Sequence, residues 1–143
     1  MIRSSIRLLL VMTPLSCSDP VSIGNLVHSF TVLPSPAAAG DSLRAVLTVR
    51  NPSGDTVQLV SAAGCMTFLR AYRGIQAAAV DGANYGCTGG ARLILIPPLD
   101  SAVEIHALVA ADGRQALIAG TYTVRTQLNI PLSNLEANFA IRE

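Results

Sequence analysis

The chain has 143 residues, half of them hydrophobic and 13% charged, which excludes a long disordered tail or a nucleic-acid-binding polyelectrolyte and fits one domain. Ten arginines, with no lysine, face nine acids, and a formal charge of +1 is too weak a field to draw in nucleic acid or an anionic membrane surface. Aromatic residues are only 4%, with no tryptophan, so the core has to be built from Val, Leu, Ile and Ala, and three cysteines need an explanation of their own.

At the N-terminus Arg3 and Arg7 precede the apolar run Leu8 to Met12, and the small or polar Thr13, Ser16 and Ser18 follow, the layout of a secretory signal peptide. A membrane-spanning helix takes roughly 20 apolar residues, and this run is stopped early by Pro14 and Asp19. Leu15-Ser16-Cys17 resembles the lipobox of bacterial lipoproteins, in which the signal is cut before a cysteine that receives a diacylglycerol thioether; Pro14 stands where such boxes usually carry leucine. Cleavage after Ser18, with Ser16 and Ser18 as the small recognition residues, is the competing reading. The lipobox reading is favoured because it accounts for a cysteine directly after the apolar run, which makes Cys17 the lipidation site. Either cleavage removes Arg3 and Arg7, leaving eight arginines against nine acids, a slightly acidic chain.

The same cut leaves two cysteines, Cys65 and Cys87, in a chain headed for an oxidising compartment, and a disulfide between them is the expectation. Closing that loop stabilises by roughly 3 kcal/mol through the unfolded chain's lost entropy. The spacing fits no zinc pattern.

Residues 18–28 contain Pro20 and Gly24 without periodicity and read as a flexible tether, so the expected organisation is signal peptide 1–17, tether 18–28 and domain 29–143. Within the domain the apolar period is two. Leu43, Ala45, Leu47 and Val49 alternate with Arg44, Val46, Thr48 and Arg50, and the turn Asn51-Pro52-Ser53-Gly54-Asp55 follows. Thr56 to Ser61, Cys65 to Tyr72, Ala91 to Ile96, Ala102 to Val109, Thr121 to Leu128 and Asn138 to Ile141 read as further strands. Residues 75–80 are open between strand and helical turn, Asp81 to Gly90 is a glycine-rich loop, and Ala111 to Arg114 is a hairpin-like connection. About seven to eight short strands at turn spacings near ten residues point to an all-β, immunoglobulin-like antiparallel β-sandwich. Tyr122 is placed either at a sheet corner, its hydroxyl tied back to the backbone, or as an ordinary interior aromatic.

Thr48-Val49-Arg50-Asn51, Val57-Gln58-Leu59, the Cys65 to Tyr72 strand with Gly74 at its turn, and Gly120-Thr121-Tyr122-Thr123-Val124 together resemble the BsuPI-type intracellular proteinase inhibitor domain over about 100 residues. The resemblance implies an Ig-like β-sandwich and inhibition of serine proteinases; the signal segment departs from the "intracellular" part of that description.

Catalytic groups are scarce. His28 falls in the tether, and simple alternation puts His106 with Ala102, Glu104 and Leu108, opposite Val103, Ile105 and Ala107, where it reads as a surface histidine. No Gly-x-Ser-x-Gly elbow is present, the glycines of the 81–90 loop lack a phosphate-loop ending, and no short-spaced metal ligands occur, so no catalytic residue, cofactor or metal is expected. The 81–90 loop, with Asn84, Tyr85 and Gly86, is the candidate partner-binding segment. The expected function is therefore a non-enzymatic protein-binding or structural module of the bacterial cell envelope, touching the membrane through its N-terminal lipid only, with a secreted or anchored serine proteinase inhibitor as the alternative. Its partner would be another protein, a proteinase or an envelope component.

Overall fold

A computed structural model describes residues 23–83, 87 and 89–143. Cys17 and the segment 1–17 lie outside the described residues, as do Asn84, Tyr85 and Gly86. A short 3-10 turn, Ile23–Asn25, leads into twelve strands, and no α-helix occurs among the described residues. Eight strands have five to nine residues: β1 (Val27–Leu33), β3 (Ser42–Arg50), β4 (Val57–Ser61), β5 (Thr67–Arg73), β7 (Arg92–Ile96), β8 (Ser101–Val109), β11 (Gly120–Leu128) and β12 (Glu136–Arg142). The other four are two-residue pieces, β2 (Ala37–Ala38), β6 (Gln76–Ala77), β9 (Ala111–Asp112) and β10 (Gln115–Ala116). Residues 75–80, open by periodicity, thus hold β6, and the connection after Ala111 is the β9–β10 hairpin.

One sheet has the order β1-β3-β8 and another β2-β12-β11-β5-β6, with β4-β7 and β9-β10 as two-stranded pairs. All pairings are antiparallel except β2 against β12, where Ala37 and Ala38 lie parallel to Ile141 and Arg142. Alternation does what the sequence implies in β3: Leu43, Ala45, Leu47 and Val49 are buried while Arg44 and Arg50 are exposed. These residues join Val57 and Leu59 of β4, Leu69 and Ala71 of β5, Tyr122 and Val124 of β11 and Phe139 and Ile141 of β12 in one hydrophobic core. The core is mainly aliphatic, but Phe30, Tyr122 and Phe139 are also buried, with Tyr122 and Phe139 stacked at 5.4 Å between ring centres.

Two expectations need correction. The tether does not extend to residue 28: Leu26 is buried in the core, and Val27 and His28 already pair with Arg50 and Val49. Burial of Leu26 and Phe30 gives this segment the apolar contacts that hold it against β3. His28 therefore belongs to β1, where its Nε2 donates to the Ser133 carbonyl at 3.0 Å. In β8 the faces are the reverse of the simple reading: Val103, Ile105 and Ala107 point out to solvent, while Glu104, His106 and Leu108 turn inward.

Candidate functional site

The inward turn of β8 creates a part-buried polar cluster. Glu104 reaches across to the start of β5, where its Oε2 accepts from Met66 N–H at 2.7 Å and its Oε1 from Thr67 N–H at 3.1 Å. His106, two residues along the same face, brings Nε2 to 2.9 Å from Oε1. Met66 and Thr67 are buried, so without the carboxylate their N–H groups would be orphaned away from water. Burial pushes the Glu104 carboxyl up, but the hydrogen bonds from His106, Met66 and Thr67 and the electrostatic pull of His106 outweigh it and hold the group below its ordinary value of 4.5. Both carboxylate oxygens are engaged by the protein itself. The Thr67 hydroxyl donates to the Phe68 carbonyl at 2.8 Å. The arrangement therefore works as a bridge between β8 and β5.

Beside this bridge, Cys65 and Cys87 are joined in the expected disulfide, with Cα atoms 5.8 Å apart. Cys65 is itself held: its carbonyl lies within hydrogen-bond reach of the buried Ser61 hydroxyl and accepts from Asn129 Nδ2 at 3.4 Å. The disulfide fixes one end of the 81–90 loop, and Gly89, at φ +154°, passes so close to Gly64 that a Cβ would stand 3.3 Å from the Gly64 Cα.

The other end of the loop is fixed at the tip of β8. Asp81 bridges to Val109, donating its N–H to the Ala111 carbonyl and accepting from Val109 N–H, each at 2.9 Å, while its Oδ1 takes Gly113 N–H at 2.8 Å. Gly82 follows at φ +88°, where a Cβ would collide with the Ala107 carbonyl oxygen, so only glycine fits. The loop is thus fastened at both ends by different chemistry.

Among the described residues no group of three or more His, Cys, Asp or Glu side chains could hold a metal ion, and no helix is long and apolar enough to cross a membrane. The structure joins the two predicted cysteines and adds Glu104 and His106, which simple alternation places on the solvent-facing side of the strand. Their signal was weak but present: two ionisable residues at i and i+2 share one face of a strand, and burying that face requires partners for both.

No protein-family profile matches the chain and no curated protein matches it. Among solved structures it is similar to the β-glucosidase EmGH1 of Erythrobacter marinus, at 16% identity and TM-score 0.49, covering 82% of this chain and 15% of that one. It is also similar to the alkylpurine DNA glycosylase AlkC of Pseudomonas fluorescens, at 13% identity and TM-score 0.43, covering 83% and 31%. A β-D-glucoside glucohydrolase of Trichoderma reesei gives 12% identity and TM-score 0.44, covering 82% and 19%. The chain spans less than a third of the length of each of these proteins.

Proposed function

We propose that this chain is a non-enzymatic immunoglobulin-like module of the bacterial cell envelope, anchored by lipid at Cys17, that binds another protein through the 81–90 loop. Strand order supports this domain type: in an Ig-like β-sandwich β1-β3-β8 would take the places of strands A-B-E and β12-β11-β5 those of G-F-C. The Tyr122 hydroxyl adds to it, donating to the Ile118 carbonyl four residues upstream at 3.0 Å, as in a tyrosine corner. Export is supported by the layout of residues 1–17 and by the Cys65–Cys87 disulfide, which suits an oxidising compartment.

The observation that carries the binding role is the double fastening of the 81–90 loop. A segment fixed at both ends has less entropy to lose on docking, which favours it as a recognition element. The test places a photo-crosslinking residue at Tyr85 of the full chain in cells. A discrete protein adduct is expected there and not from the same probe at Arg125 on β11; the same adduct from both positions, or none from Tyr85, defeats the reading. The anchor is tested separately by mass spectrometry of the mature N-terminus and by Cys17→Ala, which should move the protein from the membrane to the soluble fraction.

The same loop favours a second reading in line with the BsuPI resemblance, in which Tyr85 and its neighbours enter a serine proteinase cleft. Assay of the purified chain against a panel of serine proteinases decides it, and absence of inhibition at micromolar concentration ends that reading.

A further inference from the structure

The two outer faces of this protein differ in kind. On the outer face of β5, β11 and β12, Arg125 pairs with Glu136 at 3.1 Å and stacks over Tyr72, and Arg70 reaches Gln127; none of the large exposed hydrophobic residues lies on these strands. Outward positions of β4, β7 and β8 instead carry Val60, Leu93, Leu95, Val103, Ile105 and Val109, with Val103 and Ile105 54% and 59% exposed. An open recess of about 760 Å³ between β3 and β8 belongs to the same face, lined by Leu33, Val46 and Ile105 among others. The exposed apolar side chains of β1 and β8 around this recess mark a contact surface.

Charge says what the surface meets. The outward positions of β1, β3, β4, β7 and β8 include Arg44 and Arg50 and no carboxylate. Among the described residues neither arginine side chain has an ion pair or hydrogen bond. Asp41 and Asp100, which precede β3 and β8, are engaged by the N–H groups of Ala38 and Ser101. Two copies meeting through this face would bring arginines together with no acid from the outward strand positions between them. A phospholipid leaflet offers what the face lacks, phosphate groups for the guanidiniums and an acyl boundary for the apolar side chains. The chain's own path agrees: β1 is part of this sheet and begins ten residues after Cys17, so an extended link of about 35 Å at most joins the domain to its anchor point.

We propose that the outer face of β1-β3-β8 lies against the surface of an anionic membrane leaflet, its apolar residues at the headgroup boundary and Arg44 and Arg50 on lipid phosphates. The proposal gains from lipid attachment at Cys17 but does not require it. The small net charge does not oppose it, because Arg44 and Arg50 share this face with no outward carboxylate on its strands.

The test uses the full chain carrying Cys17→Ala, which cannot be acylated, so a failed anchor does not affect the result. Co-sedimentation is measured with vesicles of three parts phosphatidylcholine to one part phosphatidylglycerol and with phosphatidylcholine alone. All proteins compared share the same N-terminal segment, so its contribution cancels. Arg44→Gln with Arg50→Gln is expected to weaken binding to the anionic vesicles about tenfold, and Val103→Thr with Ile105→Thr to weaken it severalfold. Arg70→Gln with Arg125→Gln, on the opposite face, should leave binding unchanged. Equal binding by all variants, or no preference for phosphatidylglycerol, overturns the proposal. So does a concentration-dependent dimer in light scattering that Val103→Thr with Ile105→Thr abolishes while vesicle binding stays unchanged, since the face would then serve a second copy.

Discussion

Removing the Glu104 carboxylate tests the bridge between β8 and β5. In Glu104→Ala two buried N–H groups, those of Met66 and Thr67, lose their acceptor. An unsatisfied buried donor costs about 1–3 kcal/mol, so the pair predicts a loss of about 2–4 kcal/mol once water entering the vacated space offsets part of it. For a domain of this size that lowers Tm by about 8–16 °C. Glu104→Gln keeps one carbonyl oxygen as an acceptor and should lose about 1–2 kcal/mol. The pH dependence has a definite sign. The folded carboxyl titrates below 4.5, so its contribution is complete above the unfolded value and is lost as pH falls through the folded one. The stability gap between the wild-type protein and Glu104→Gln should therefore shrink at pH below about 4.5. Urea unfolding followed by circular dichroism between pH 7 and pH 3 measures both effects. A Glu104→Ala protein within about 0.5 kcal/mol of wild type, or a gap that stays constant down to pH 3, would refute the reasoning.

Two further outcomes concern the supports around this bridge. Tyr122→Phe removes the hydroxyl that donates to Ile118 while leaving the ring on Phe139, and should lower stability by about 1 kcal/mol in denaturant titration; an unchanged midpoint would mean the tie contributes nothing. Replacing Cys65 and Cys87 together by alanine should destabilise the domain by about 3 kcal/mol and speed proteolysis within the 81–90 loop, whereas identical cleavage patterns with and without the disulfide would show that the Asp81 end alone holds the loop.

The sequence by itself determined what local period and counting can determine. Leu43, Ala45, Leu47 and Val49 define both the strand and its buried face, because four aliphatic side chains at every second position have one way to leave water. The turn at Asn51–Asp55 was legible from its residue types; the structure adds that the Asn51 side chain is buried, its Nδ2 donating to the Asp55 and Ile96 carbonyls. The cysteine pairing was legible by count, once Cys17 was assigned to the signal segment.

Tertiary structure decided the rest. Two-residue strands such as β2 and β6 carry no period, and they exist because the edges of β12 and β5 offer unpaired backbone groups. In β8 both faces hold apolar residues, so periodicity identifies the strand but not the buried side. Glu104 and His106 could turn inward only because the N–H groups of Met66 and Thr67, nearly forty residues earlier in the chain, stand where the carboxylate needs donors. That inward turn leaves Val103 and Ile105 on the outside, giving the exposed apolar face a physical cause that no stretch of β8 contains by itself.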